Sequence, residues 1–166
     1  MKCALITLST ASAVVIAGAL LAISQFSLSA MPEPSSMENY LATTARRLLV
    51  RRGSREAIPP APANLAASIE EGDKLYGTEC AACHGLDGHK PTDAGRWMYP
   101  RAADLTSREV QQYSDRELFW IVRNGIRLSG MPAFGNVETD EHIWNLVHFV
   151  RTLPASASPK DVEATP

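Results

Sequence analysis

The sequence predicts an all-α fold of about four to five helices. Leu65, Ile69, Gly72 and Tyr76 fall at i, i+4, i+7 and i+11, which places them on one helix face. A second apolar face recurs at helical spacing near the carboxyl end and comprises Ile143, Leu146, Val147, Val150 and Leu153. No strand-like alternation separates the two. With 166 residues and 45% apolar composition, the chain has room for one ordinary domain with appendages.

The amino terminus has the composition of an export segment. Met1-Lys2 precedes an apolar stretch from about Ala4 to Ile23, and Ala30 then suits a cleavage site. The apolar stretch is also near the length of a membrane-spanning helix. Residues 1–30 are therefore predicted to be a cleaved signal peptide or a retained amino-terminal membrane anchor, and both place the remainder outside the cytoplasm.

Residues 31–64 are predicted to be a proline-rich linker. Prolines lie near both ends of this segment, and proline density favours extended chain. One amphipathic helix is expected inside it, with an apolar face formed by Met37, Leu41, Ala45 and Leu48. We interpret this helix as solvated and mobile, with docking on an anionic lipid surface or a partner as the alternative.

The domain itself is assigned to residues 65–153. Gly72 costs about 1 kcal/mol relative to alanine in mid-helix, so we expect a close crossing with the last helix at that point. Capping-box spacing predicts helices near 107–112 and from about 115 to 124, and the pairs concerned are Thr106 with Glu109 and Ser114 with Glu117. The closing helix should begin at a Thr139 cap and end before Pro154. Residues 154–166 are predicted to be a flexible tail.

The chemistry of the chain is indicated by Cys80-Ala81-Ala82-Cys83-His84. Two cysteines at this spacing followed by histidine attach haem c covalently, because both sulfurs reach haem vinyl groups while the imidazole faces the iron. A zinc or thiol site is the alternative. That alternative is disfavoured because the sequence has no second cysteine pair and no thioredoxin-like alternation of strands and helices.

His84 supplies one axial nitrogen in this interpretation, and Met131 is the best candidate for the sixth iron position. Met131 lies on an irregular segment between Gly130 and Pro132, which we expect to permit unusual backbone geometry and to stiffen the loop. A thioether stabilises ferrous iron and so raises the reduction potential. Met98 is the competing methionine, and the other histidines, expected at the surface, are His89, His142 and His148.

Further haem contacts are assigned to Arg127, Tyr99 and Trp97, with Arg101 as an additional candidate, because haem propionates need hydrogen-bond donors. The imidazole of the proximal ligand should donate its other nitrogen proton to a backbone carbonyl. The carbonyl of Pro91 is the first candidate for that acceptor.

Together these residues resemble the class I cytochrome c family over about residues 65–153. The resemblance lies in the haem motif, the loop Gly130-Met131-Pro132-Ala133-Phe134 and the closing helix from Ile143 to Arg151. It implies a cytochrome c fold in which helices wrap one covalently attached haem c and the first and last helices cross. By position, Cys80 and Cys83 would form the thioethers, with His84 and Met131 as axial iron ligands. The segment from Tyr99 to Thr106 is similar to cytochromes that serve respiratory and dehydrogenase complexes.

The predicted function is periplasmic electron transfer without substrate chemistry, by a protein that is soluble or anchored to the inner membrane. Its partners would be a redox-protein donor and acceptor. A net charge of −2 argues against nucleic acid. Two alternatives remain open: the haem c subunit of a respiratory or dehydrogenase complex, and a five-coordinate haem protein that binds a small ligand.

Overall fold

The computed structural model describes residues 13–21, 23–24 and 29–153, and every regular element within them is helical. In chain order the elements are α1 (Ser36–Gly53), α2 (Leu65–Glu79), α3 (Ala81–His84), α4 (Asp93–Arg96), α5 (Arg108–Gln111), α6 (Asp115–Asn124), a 3-10 turn (Phe134–Asn136) and α7 (Asp140–Thr152). The predicted all-α class is confirmed. Much of the predicted export segment and the whole predicted tail lie outside the described residues.

Residues 13–21 and 23–24 are also helical. None of the helices in the described part of the chain combines the length and the apolarity needed to cross a membrane.

The fold is organised by a crossing of α2 and α7. A Cβ added to Gly72 would lie 2.1 Å from the backbone oxygen of Asn145, so the two helix backbones touch at this glycine. One turn further on, the rings of Tyr76 and Phe149 pack with their centroids 5.0 Å apart. The predicted crossing is therefore confirmed. Asn145 is buried in the crossing, where its side chain accepts a hydrogen bond from the hydroxyl of Ser68.

The core lies between this helix pair and α6. Phe119 and Ile143 are fully buried, and Leu146 and Val147 are nearly so. The rings of Phe119 and Trp144 pack with centroids 4.7 Å apart, which joins α6 to α7. Apolar burial of this kind is the main favourable term in folding, and it fixes the scaffold that holds the cysteine motif.

The helix starts agree with the predicted caps except at α5. Ser114 and Glu117 form a reciprocal capping box, and the side chain of Thr139 accepts a hydrogen bond from the amide of His142. At α5 the predicted Thr106 cap is wrong, because Ser107 accepts from Val110 instead. The Thr106 hydroxyl is buried and donates to Asp104, which leaves the next residue to cap the helix.

Helix α1 packs against the domain, in contrast to the solvated helix expected from the sequence. Val50 is only 2% exposed and belongs to the main buried cluster. Arg116 of α6 donates to the carbonyl of Ser54 at 2.9 Å and to that of Glu56 at 2.8 Å. Trp144 donates through its indole nitrogen to the carbonyl of Pro59 at 3.0 Å. The predicted apolar face points away from these contacts, since the exposed residues of α1 include Met37, Leu41 and Leu48.

Candidate haem site

The cysteine motif is carried by the end of α2 and by α3. The amide of Cys80 donates to the carbonyl of Tyr76, and that of His84 donates to the carbonyl of Cys80, both at 3.0 Å. The Tyr76 hydroxyl donates to the carbonyl of Gly85 at 2.7 Å and holds the end of the motif against the helix crossing. The α2–α7 crossing thus positions both cysteines and the histidine.

The surroundings of Cys80 favour the neutral thiol over a reactive thiolate. Burial, together with the nearby charges of Glu79 and Cys83, raises the pKa of the Cys80 thiol to about 12. Reactive and metal-binding cysteines act as thiolates and need a lowered pKa. Within the described residues, no group of three or more cysteine, histidine or acidic side chains could hold a metal ion. The raised pKa counts against a reactive thiolate at Cys80.

His84 presents one free ring nitrogen. Its Nδ1 lies 2.8 Å from the carbonyl oxygen of Ala103, and because a carbonyl only accepts, Nδ1 carries the proton. The Nε2 lone pair is then available to a metal. Burial lowers the pKa of His84, although the bond to Ala103 opposes the shift, so the imidazole is held neutral.

The predicted acceptor for His84, Pro91, is wrong. The loop that carries Pro91 folds back on the backbone of α3 instead of reaching the ring. Thr92 makes this contact twice, since its amide donates to the carbonyl of Cys83 and its hydroxyl to that of Ala82. The segment after α4 is left to supply the acceptor through Ala103.

Two adjoining cavities lie beside the motif. The outer cavity, of about 350 Å³, is lined by both cysteines of the motif and by His84, Met98 and Met131. The inner cavity is lined by Cys80, His84 and Met131 together with aliphatic side chains of α6 and α7, including Leu118, Ile121, Leu146 and Val147. The two predicted axial ligands therefore border both cavities, whereas Met98 borders only the outer one.

The backbone around Met131 is held by its neighbours. The amide of Met131 donates to the hydroxyl of Ser129 at 3.2 Å, and its carbonyl accepts from the amide of Ile126 at 3.3 Å. Gly125 has a φ of 65°, and a Cβ there would lie 2.7 Å from the carbonyl of Pro132. The loop is thus pinned to the end of α6.

Gly130 serves a different purpose from the one predicted. Its φ is not left-handed, and a Cβ there would lie 2.2 Å from the sulfur of Met98. The absence of a side chain at Gly130 makes space for Met98, which packs on the loop beside Met131.

The remaining histidines are engaged elsewhere in the described part of the chain. His89 contacts Asp104 at 3.1 Å and His142 contacts Glu138 at 2.6 Å, in both cases through Nδ1. Nδ1 of His148 lies 2.7 Å from the hydroxyl of Ser68 at the helix crossing. None of the three lines either cavity.

Of the residues predicted to contact the haem, Trp97, Tyr99 and Arg127 lie away from the cavities. Trp97 is 78% exposed, Arg127 is exposed, and the Tyr99 hydroxyl donates to Glu38 of α1. Arg101 borders the outer cavity, where it pairs with Glu33 at 2.9 Å. The sequence reasoning missed two residues at the cavities, Arg46 and Tyr113. Nothing in the sequence places Arg46 beside the cavities, because the linker helix that carries it was expected to be solvated.

The cavities suit a haem. The wall of the inner cavity is mainly aliphatic, as an apolar macrocycle requires, and both cysteines border the outer cavity. His84 offers Nε2, and the hydroxyl of Tyr113 is buried without a hydrogen-bond partner among the described residues. A buried polar atom without a partner costs about 1–3 kcal/mol, and a bound group with an acceptor oxygen would remove that cost.

Residues 67–150 match the family model described as cytochrome c oxidase, cbb3-type, subunit III. The chain is 32% identical over 89 residues to cytochrome c6 of Thermosynechococcus vestitus (strain NIES-2133 / IAM M-273 / BP-1), a match that spans 54% of this chain and 73% of that protein. This chain belongs to the mono-haem class I cytochrome c family. The predicted cytochrome c fold is confirmed, and the cofactor of this family is covalently bound haem c.

Two further likenesses concern larger proteins. Quinohemoprotein alcohol dehydrogenase ADH-IIG of Pseudomonas putida is 33% identical over 85 residues, which are 51% of this chain and 10% of that enzyme. A solved structure of the Kuenenia stuttgartiensis reducing HAO-like protein complex Kustc0457/Kustc0458 superposes with a TM-score of 0.51 at 23% identity, covering 59% of this chain and 48% of that one. This second likeness concerns the fold alone.

Proposed function

We propose that this cytochrome c is an exported electron carrier that passes single electrons between redox proteins. Cys80 and Cys83 would hold the haem through thioether bonds, and His84 and Met131 would hold its iron. The observation that carries the proposal is that His84 and Met131 border the same two cavities beside the cysteines. When bound, haem c supplies an iron that gains and loses one electron.

The protein supplies the positions of the ligands. His84 is fixed by the carbonyl of Ala103, which sets its tautomer and the direction of Nε2. The backbone of Met131 is held by hydrogen bonds to the amide of Ile126 and to the hydroxyl of Ser129. Because both side chains belong to segments that are held in place, they would need little rearrangement when a bound haem gains or loses an electron. Two protein ligands to the iron would also favour electron transfer over the binding of a reactant.

Replacement of the distal ligand tests this proposal. We expect Met131→Ala to open the iron, so that the ferrous protein binds carbon monoxide, and to lower the reduction potential by on the order of 100 mV, within the span of about 0.8 V that axial ligands control. The measurements are the ferrous spectrum under carbon monoxide and a redox titration. Met98→Ala is the matched control, because Met98 borders only the outer cavity.

Carbon monoxide binding by the unaltered protein would overturn the Met131 assignment in favour of a five-coordinate haem. If ferrous Met98→Ala binds carbon monoxide and ferrous Met131→Ala does not, the ligand role belongs to Met98. Mass spectrometry of the mature protein reports haem attachment and any cleavage within residues 1–30 in the same experiment. We propose export to the periplasm on the composition of that segment.

A second candidate function is that of a haem c subunit in a respiratory or dehydrogenase complex. It is favoured by the likeness to a quinohemoprotein alcohol dehydrogenase, in which a matching stretch is 10% of a much longer protein. Mild extraction of membranes followed by copurification distinguishes the two functions. A free carrier elutes alone at its own mass of 18.0 kDa or less, and a subunit elutes with its complex.

A further inference from the structure

We propose that Arg46 and Tyr113 together hold a haem propionate, so that a helix outside the matched family region forms part of the haem site. The inference rests on the proposed haem attachment at Cys80 and Cys83. Arg46 belongs to α1, which precedes the matched residues 67–150. Tyr113 follows α5, on the opposite side of the motif in sequence.

The position of Arg46 is the first support. Its side chain borders both cavities, together with Cys80, His84 and Met131, and is only 30% exposed. Arg46 is thus the one strongly cationic side chain on the otherwise largely aliphatic wall of the inner cavity within the described residues. Arg46 is already paired with Glu109, and a second anion on the cavity side would further stabilise a guanidinium that lies beside apolar groups.

The hydrogen bonds of Arg46 leave donors for such an anion. Its Nη2 donates to Glu109 at 2.9 Å, and that carboxylate is about half exposed. A guanidinium carries five N–H donors in a planar fork, which suits bidentate binding of a carboxylate. The contact with Glu109 uses one edge of the fork and orients the group at the cavity.

Tyr113 is the second, independent support. Its ring is 9% exposed and lines the inner cavity, and its hydroxyl has no hydrogen-bond partner among the described residues. A carboxylate in this cavity would accept from the Tyr113 hydroxyl and from the Arg46 guanidinium. Haem carries two propionate carboxylates, so the expected cofactor of the cavity brings the missing acceptor with it.

The docking of α1 on the domain fixes the position of Arg46. Val50, one helical turn beyond Arg46, is buried in the main cluster, and the chain after α1 is fastened by Arg116 through the carbonyls of Ser54 and Glu56. Arg46 is therefore carried by a helix with its own anchors and does not depend on the ion pair with Glu109 for its place.

Charge removal at Arg46 in the holoprotein is the test. A cation near the iron favours the ferrous state, so Arg46→Gln should shift the reduction equilibrium towards ferric iron about tenfold, a fall of about 59 mV for one electron. Tyr113→Phe should shift it in the same direction by about threefold. The matched controls are Arg47→Gln and Tyr40→Phe, which alter exposed residues of α1 outside both cavities and should leave the potential unchanged.

Redox-difference infrared spectra distinguish propionate binding from a purely structural role of Arg46 and Tyr113, because a structural role would leave the propionate bands unchanged. Both Arg46→Gln and Tyr113→Phe should displace a propionate carboxylate band, and Arg46→Lys should keep most of the potential. If Arg46→Gln does not form holoprotein, the propionate bands of Arg46→Lys and Tyr113→Phe provide the test. Potentials and bands equal to those of the controls would overturn this inference while leaving the carrier function intact. A mature protein without covalent haem would overturn both.

Discussion

Two glycines lie where one helix packs on another, and they face different kinds of atom. At Gly72 an added Cβ would lie 2.1 Å from the backbone oxygen of Asn145. At Gly53 it would lie 2.4 Å from the side chain of Trp120. The first contact belongs to the α2–α7 crossing inside the matched family region, and the second belongs to the docking of α1, which lies outside that region.

The two contacts differ in how easily the contacted atoms can move aside. A backbone oxygen moves only if the whole helix moves, whereas the partly buried indole of Trp120 can rotate. The α2–α7 crossing also positions the cysteine motif through Cys80 and Tyr76, so displacement there reaches the haem site directly. The α1 contact reaches the site through one side chain, Arg46. If haem occupies the cavities as proposed, we expect the crossing to set whether haem is held and α1 to adjust how it is held.

The largest expected effect is at the crossing. Gly72→Ala gains about 1 kcal/mol of helix propensity but overpacks a backbone contact, at a typical cost of 1–3 kcal/mol and occasionally more. Because the contact is with a carbonyl at 2.1 Å, we expect a net loss of about 2 kcal/mol or more in the free energy of unfolding. Chemical denaturation measures the loss, and the yield of covalent haem should fall with it.

Gly77→Ala is the control on the same helix. No atom lies within 4 Å of a Cβ at Gly77, so only the propensity gain of up to about 1 kcal/mol remains. Equal stability changes at Gly72 and Gly77 would show that α2 and α7 are further apart in solution than in this structure.

A smaller effect is expected where α1 enters the core. Val50→Ala removes two buried carbons from a residue that is 2% exposed, at a cost of roughly 2 kcal/mol when α1 is docked. Leu49→Ala, at a neighbouring position that is 60% exposed, should change the free energy of unfolding by less than about 0.5 kcal/mol. Equal, negligible changes at both positions would indicate that α1 is detached, and hydrogen exchange along α1 would then report fast, uniform exchange.

The same contrast explains which parts of the fold were predictable. The crossing could be predicted from the sequence because it depends on local signals, namely helical periodicity, a mid-helix glycine and the Thr139 cap. The cysteine motif and the ligand loop were readable because their residue types are tied to one cofactor chemistry. Each of these signals lies within a few residues of the feature that it predicts.

The parts that were missed depend on tertiary contacts. The acceptor for His84 is Ala103, nineteen residues away, and nothing in the local sequence distinguishes it from other carbonyls. Helix α1 has an apolar stripe that suggested a lipid or partner surface, but the residue it buries is Val50, off that stripe. Arg46 therefore entered the site without a sequence signature, because its position follows from how α1 docks.

The smallest effect is expected at Gly53, and it measures how firmly α1 is held. Gly53→Ala gains helix propensity at the last residue of α1, while the indole of Trp120 must move by about an ångström or more; the two terms nearly offset, so the net change should stay within about 1 kcal/mol. In a Trp120→Leu background the clash is gone, and Gly53→Ala should become stabilising. The coupling between the two substitutions, from a double-mutant cycle, isolates the contact. A loss at Gly53 as large as that at Gly72, with strong coupling to Trp120, would mean that the indole is fixed as rigidly as a helix backbone and that α1 is as integral to the haem site as the crossing.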